Sequence, residues 1–421
     1  MKKSIVLLVC LAVFLAISCS TTSAMHGSLG VADDLSVTEK LDLAGFERVS
    51  ISRPKVFYDG GQWLGELTSM IENAQDYIIM TVFLGSQCDE NTFLLDLIRQ
   101  KAESGIPVYL VYDGTGAFDM TESRFHLRPL SDLASSGIHL LEYHPFSFSR
   151  LVNLWNVIQR EHRKFVVVDG NQIAIGGMNL NYISLGPLDE GGQRDSMYRF
   201  QSAELGAVLV RDFIDFWNNE SWDEVSSSIF PIPLQQEAES ITAWCANQYG
   251  NRMCMSELFG IMVNSAERSV LSLPFLPYSD KNMLQMLSEA SASGIDVKMM
   301  IPFDSRPMPR KATSYMLSDI VKTGIEVRME KPSDEPKALL HEKLLVIDER
   351  YICFGSSNFN YRSMNLSNEI MLVVEDEQFA AEVMDHLNKL MDDTYVLDQQ
   401  QADSMRKLVD FPNFVFGFFG G

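Results

Sequence analysis

One unusual string occurs twice in this chain. The first copy is His162-Arg163-Lys164-Phe165-Val166-Val167-Val168-Asp169, followed by Gly176-Gly177-Met178-Asn179. The second is His341-Glu342-Lys343-Leu344-Leu345-Val346-Ile347-Asp348, followed by Gly355-Ser356-Ser357-Asn358. His, Lys, Asp, Gly and Asn all recur at one spacing of 179 residues. Lys two places and Asp seven places after a given His arise by chance about once in 300. A double occurrence with matching Gly and Asn therefore marks an internal duplication, and a duplicated chain folds as two like halves.

The segments upstream of each string repeat as well. Leu64–Gln75 and Asn91–Glu103 have helical apolar spacing, and Ile78–Leu84 and Val108–Tyr112 are strand-like runs. Met255–Ala266, Val270–Phe275, Asn282–Ser293 and Val297–Ile301 replay that order in the second half, with Tyr315–Lys322 leading to a further strand. Gly105 matches Gly294 and Gly137 matches Gly324, each where a helix gives way to a strand. Alternating strands and helices predict an α/β fold, a sheet flanked by helices in each of two lobes packed about a pseudo-twofold axis. The expected divisions are a leader at residues 1–24, lobes at 25–230 and 231–396, and a tail at 397–421, with a joint near Ser226–Glu237.

Residues i and i+2 of a strand share a face, so His162 and Lys164 point together, as do His341 and Lys343. The returning strand delivers Asn179 or Asn358 to the same place. Each half then supplies one imidazole, one cation and one amide, and two halves face these sets together across the axis. Two Lys and two Asn suit the oxygens of a phosphoryl group, and two His suit a nucleophile and an acid. No carboxylate cluster calls for a metal, and no cofactor is expected. Asp169 and Asp348 sit where each strand turns and read first as turn residues. Arg163 and Glu342 alternate away from the site. His26, His126, His139, His144 and His386 have no partner at motif spacing.

At these residues the chain resembles the phospholipase D superfamily, whose signature is the doubled H-x-K-x4-D with a following glycine-rich corner and Asn. Within it the chain is most similar to bacterial cardiolipin synthases, through Gly176–Asn181, Arg194-Asp195 and Gly355–Glu369. The likeness runs from about Arg53 to Asp393. It implies one shared active site and transfer of a phosphatidyl group through a phosphohistidine. His162 would be the nucleophile and His341 the acid, with Asp195 and Glu369 orienting the imidazoles. The implied catalytic set is His162, Lys164, Asp169, Asn179, Asp195, His341, Lys343, Asp348, Asn358 and Glu369. Phosphatidylglycerol is the expected substrate and cardiolipin the expected product. The alternatives are hydrolysis to phosphatidic acid and a nuclease of the same fold.

Composition weighs on these alternatives. With 34 Lys and Arg against 56 Asp and Glu, the formal charge is −22. That disfavours nucleic acid, whose binding rests on displacing phosphate counterions with cations. It also disfavours polybasic attachment to anionic lipid. The front end offers another route to a membrane. Lys2-Lys3, the 13-residue apolar run Ile5–Ile17 and a small polar stretch to Ala24 have the order of an export signal. Leu15-Ala16-Ile17-Ser18-Cys19 resembles a lipoprotein box, with Ala16 where Leu is usual, so Cys19 is the expected lipidation site of an exported, membrane-anchored protein. Many cardiolipin synthases carry two membrane helices at this end instead.

Cys88, Cys245, Cys254 and Cys353 read as small core residues, although Cys245 and Cys254 are near enough in sequence to pair. Arg306, Arg310 and Lys311 form a basic loop. The aromatic tail Phe411–Phe419 has no helical period and either packs on the body or meets a membrane interface.

Overall fold

The computed structural model describes residues 35–114, 130–145, 159–234, 240–275, 281–302, 307–332 and 338–420. The leader with Cys19, and with it His26, His126, Arg306 and residues 235–237 of the joint, lie outside the described residues.

The strands are β1 (Glu47–Ile51), β2 (Lys55–Phe57), β3 (Ile78–Val82), β4 (Val108–Asp113), β5 (His139–Tyr143), β6 (Phe165–Val168), β7 (Gln172–Gly176), β8 (Met197–Gln201), β9 (Ile241–Gln248), β10 (Ser269–Leu273), β11 (Asp296–Ile301), β12 (Glu326–Glu330), β13 (Leu344–Ile347), β14 (Tyr351–Gly355), β15 (Glu369–Glu375) and β16 (Thr394–Val396). They form a seven-stranded sheet, β2-β8-β7-β6-β3-β4-β5, and a nine-stranded sheet, β1-β9-β15-β14-β13-β10-β11-β12-β16. The run β8-β7-β6-β3-β4-β5 reappears in the second sheet as β15-β14-β13-β10-β11-β12, so the duplication read from sequence is a duplication of topology.

Alternation along each strand decides what it packs against. Phe165 and Val167 of β6 enter a central core, whereas Val166 and Val168 face the helices outside. Leu344 and Val346 of β13 enter the same central core, and Leu345 and Ile347 face the second lobe's outer helices. The two sheets therefore meet face to face, with Tyr198 of β8 stacked on Phe354 of β14 at 3.8 Å. The helices Ala203–Glu220 and Glu377–Asp392 close this core. Each starts at a side-chain cap: Ser202 accepts from the Leu205 amide and Asp376 from the Phe379 amide. Gly105 and Gly294 end equivalent helices at φ of 94° and 92°, a conformation that disfavours a side chain.

Three features differ from the sequence reading. The segment from Val37 to Ile51, assigned there to the first lobe, is built onto the second. Its helix Val37–Leu43 buries Val37 and Leu41 in the second lobe's outer core, and β1 pairs antiparallel with β9. Without β1, β9 would be an open edge. The basic loop is in fact the start of a helix, Pro307–Val321, carrying Arg310 and Lys311. Pro307 and Pro309 are tolerated because the first turn needs no amide donors. The tail is helical at Gln399–Met405 and Phe411–Gly420 and packs on the body, with Phe411 and Phe414 set 5.6 and 5.3 Å from the Tyr315 ring. The four cysteines are free thiols; Cys245 belongs to the central core and Cys254 to the second lobe's outer core. No helix among the described residues is long and apolar enough to cross a membrane.

Candidate active site

His162 and His341 each precede a strand, β6 or β13, at the same end of the two sheets. Both run-in segments cross the seam between lobes. Glu161 bridges to Asn368, and the His162 amide donates to the Asn368 carbonyl at 3.0 Å. Leu340 bridges to Arg194, and the His341 amide donates to the Arg194 carbonyl at 2.7 Å. The residues after Asn368 and Arg194 are Glu369 and Asp195, so each bridge delivers a carboxylate to the imidazole of the opposite lobe.

The two imidazole–carboxylate pairs are thus crossed. His162 Nδ1 lies 2.9 and 3.0 Å from the carboxylate oxygens of Glu369, and His341 Nδ1 lies 2.5 Å from Asp195 Oδ2. With its carboxylate ionised, and so only accepting, each Nδ1 carries the proton and each Nε2 is left for chemistry; at His341 the same Nδ1 also faces two donors, Lys343 Nζ at 2.8 Å and Gln193 Nε2 at 3.3 Å. Both carboxylates are fully buried and held by further donors. Asp195 Oδ1 accepts from the Ser196 amide at 2.8 Å, and Oδ2 from Gln193 Nε2 at 3.1 Å. The Ser356 hydroxyl donates to Glu369 Oε2. The equivalent of Ser356 is Gly177, where an added Cβ would stand 2.1 Å from Asp195 Oδ1. The glycine-rich corner of each motif is therefore shaped by the carboxylate that packs on it.

Lys164 and Lys343 are almost wholly buried, and each ammonium donates to the carbonyl of its own motif His, Lys164 at 2.7 Å. Lys343 Nζ is also 4.0 Å from Asp195 Oδ2. Asn179 turns its carbonyl end to the Leu84 amide at 3.0 Å, and its N–H groups have no partner among the described residues. Asn358 is buried, with its Oδ1 lacking a hydrogen-bond partner among the described residues.

Burial governs the electrostatics. It lowers both imidazoles, with help from the neighbouring cations: His162 falls well below its ordinary value and His341 to about 4, although Asp195 opposes the second shift. Burial also pushes the Lys164 ammonium down to about 7 and the Glu369 carboxyl up to about 7. Asp195 goes the other way. Burial alone would raise it, but Lys343 and His341 hold it below the usual carboxylate range.

Asp169 and Asp348 do not join this group. They lie past the far ends of β6 and β13. Asp169 accepts from the amides of Gln75, Asp76 and Tyr77 at 2.8–3.1 Å, and Asp348 from those of Glu267, Arg268 and Ser269 at 2.7–2.9 Å. Each pins the entry of the neighbouring antiparallel strand, β3 or β10, from a turn with φ above 50°. Arg163 pairs with Glu161 at 2.8 Å, and Glu342 with His386 at 2.9 Å, both away from the reacting nitrogens. His386 also stacks on Tyr58 at 3.6 Å and so helps join the lobes.

Two aromatic residues outside the shared spacing also line the site. The Phe83 ring meets His162 edge-on at 4.9 Å with Lys164 Nζ 5.2 Å away, and Phe275 meets His341 at 4.2 Å with Lys343 also at 5.2 Å. Each ring walls one imidazole and faces one ammonium. The signal available was a Phe just past the end of a strand in both halves.

Two imidazoles whose Nε2 atoms have no partner among the described residues, two buried ammonium groups and two amides gather in one seam, a set suited to phosphodiester transfer. A family model described as "Cardiolipin synthase, PLD-like domain" matches residues 67–217 and 260–391, about two thirds of the chain. Cardiolipin synthase 1 of Staphylococcus epidermidis is 27% identical over 366 residues, covering 85% of this chain and 71% of that one. Cardiolipin synthase 1 of Staphylococcus aureus strain COL is 27% identical over 346 residues, covering 78% of this chain and 65% of that one. In fold, the chain is similar to a phosphatidylserine synthase of Haemophilus influenzae, with a TM-score of 0.67 at 13% identity over 91% of this chain and 99% of that one. It is also similar to a polyphosphate kinase from Porphyromonas gingivalis, with a TM-score of 0.54 at 14% identity over 83% of this chain and 49% of that one. The chain belongs to the cardiolipin synthase-like family of phosphatidyltransferases in the phospholipase D superfamily.

Proposed function

We propose that this protein makes cardiolipin from two molecules of phosphatidylglycerol through a phosphohistidine. The observation that carries this reading is the pair of crossed histidine–carboxylate contacts, which frees one Nε2 on each side of a single seam. His162 Nε2 attacks the phosphorus of the first lipid and forms a P–N bond. The P–O bond to the headgroup glycerol breaks, and His341 Nε2–H gives its proton to the departing oxygen. The headgroup hydroxyl of the second lipid then attacks phosphorus and passes its proton to His341. The P–N bond breaks, and the products are cardiolipin and glycerol.

The anionic substrate supplies what the seam by itself disfavours. A phosphodiester beside His341 offsets the positive charge of Lys164 and Lys343 and raises the imidazole so that it can hold the acid proton. Lys164, Lys343, Asn179 and Asn358 are the donors for the two non-bridging oxygens, which gain charge in the transition state.

Mass spectrometry of products from phosphatidylglycerol vesicles tests this directly. Cardiolipin with an equal amount of glycerol supports it, and phosphatidic acid as the only lipid product replaces it with hydrolysis. We further propose export with lipid attachment at Cys19, which would hold this acidic body at its bilayer substrate with more than one acyl chain. A mature N-terminus at Met25 without lipid overturns the anchor.

A further inference from the structure

A site with twofold symmetry has no inherent first histidine. Ser356 for Gly177 and Glu369 for Asp195 already make the copies unequal, and one cation makes them more so. The short helices Tyr182–Leu185 and Tyr361–Asn365 follow the two glycine-rich corners and are capped alike, Asn181 accepting from the Ser184 amide at 3.0 Å and Asn360 from the Ser363 amide at 2.9 Å. At the same register they carry Ile183 in one copy and Arg362 in the other.

Arg362 reaches across the seam. Its guanidinium lies 5.7 Å from the centre of the Phe83 ring, the ring that also meets His162 at 4.9 Å and Lys164 Nζ at 5.2 Å. It is 6% exposed, and its Nε donates to Ser367 Oγ at 3.1 Å. Among the described residues it forms no ion pair with a carboxylate, and burial pushes it down to about 10. A buried guanidinium with no carboxylate in ion-pair contact is costly, and its forked geometry matches a phosphate. We propose that Arg362 gives this site its direction: it binds a phosphodiester oxygen on the first-lobe side and fixes His162 as the nucleophile, leaving His341 as the acid. This rests on the phosphatidyl-transfer reading above.

The groups facing His162 are Glu369, which holds its Nδ1–H, and Lys164, Arg362, Lys343 and His341, all of which disfavour a second proton on the ring. Asp113 and Arg160 of the first lobe, and Glu369, act in turn on Arg362. Loss of the Arg362 charge makes His162 easier to protonate, so the acid limb of the kcat/KM profile moves to higher pH.

The experiment compares the wild-type chain with Arg362→Gln and Arg362→Lys, using phosphatidylglycerol radiolabelled in the transferred phosphoryl group. Rapid alkaline quench and peptide mapping locate the label, and kcat/KM is followed against pH. The wild type should carry label on His162 alone. Arg362→Gln should lose about 100-fold in kcat/KM, as for loss of one preorganised donor. It should also shift its acid limb upward and divide its label between His162 and His341. Arg362→Lys should restore the label to His162 and most of the acid limb. Label on His341 in the wild type overturns the proposal, as does a Gln variant with unchanged labelling and an unshifted profile. If Gln fails to fold, the Lys variant, which keeps the charge without the guanidinium fork, must still label His162 alone with most of the acid limb kept; divided label there overturns the proposal. Turnover with no label on either His instead removes the covalent mechanism itself.

Discussion

Asp195→Asn isolates the contribution of one crossed pair. In the native site the two oxygens of Asp195 have separate duties. Oδ1 takes the Ser196 amide at 2.8 Å, while Oδ2 takes His341 Nδ1–H at 2.5 Å and Gln193 Nε2 at 3.1 Å. Asn offers one oxygen for these tasks. If that oxygen stays with the Ser196 amide, the new NH2 group confronts two donors, and His341 must switch its proton to Nε2. The ring then cannot take the acceptor's proton at Nε2, and its charged form has lost its counter-ion. An analogous tautomer-reversing change in the Ser-His-Asp arrangement costs about 10⁴ in kcat, or roughly 5.5 kcal/mol of barrier. A loss of about 10³ to 10⁴ is expected here for phosphatidylglycerol turnover, with circular dichroism close to wild type because the shape is kept and a lower melting temperature because Gln193 Nε2 and Lys343 lose a buried acceptor. The loss should depend on the leaving group. The aryl oxide of a phosphatidyl aryl ester departs without a proton as the P–N bond forms, so Asp195→Asn should form its phosphoenzyme within about tenfold of wild type, whereas Glu369→Gln, which disturbs His162, should not. Equal losses for both variants on both substrates would refute the division of labour between the two histidines.

Three further outcomes follow from the geometry. Gly177→Ala places a Cβ against Asp195 Oδ1 at 2.1 Å and should lower kcat toward the Asp195→Asn value, read on the same vesicle assay; activity within threefold of wild type would show that the carboxylate can give way. Asp348→Ala leaves the amides of Glu267, Arg268 and Ser269 without their acceptor and should cost about 2–4 kcal/mol in a urea melt while the folded fraction keeps a near-normal kcat. For acid stability, His341 sits at about 4 when folded against 6.5 unfolded, so the unfolded chain binds the extra proton in that window. Stability therefore falls as pH drops from about 6.5 to about 4, by roughly 3 kcal/mol from this group. His341→Gln should flatten that part of the pH dependence in urea melts, and an unchanged slope would count against a buried neutral imidazole.

The sequence carried the repeated topology because the strand runs and helix-ending glycines at Gly105 and Gly294 recur in order. It also carried the residues that gather at the seam, since His and Lys lie in the run-ins to β6 and β13 and Asn in the glycine-rich corners. It could not carry the pairing across lobes. Spacing groups Asp169 with His162, whereas β6 puts them at opposite ends and brings Glu369 from the other lobe. Phe83 and Phe275 escaped because they lie 79 and 66 residues before their histidines, outside the one shared spacing of 179. β1 escaped for another reason: a five-residue strand has no local signal for which sheet edge it will cover.

A shared site is tested most directly by the turnover of His162→Ala, His341→Ala and the double variant on phosphatidylglycerol, each confirmed folded by circular dichroism. One site formed from both lobes predicts that each single change removes at least about 10⁴ of kcat and that the double change removes no more, as for groups that act as a unit. Two lobes with separate sites would leave each single variant about half of the wild-type activity and only the double variant inactive; half-active single variants would contradict a site shared across the seam.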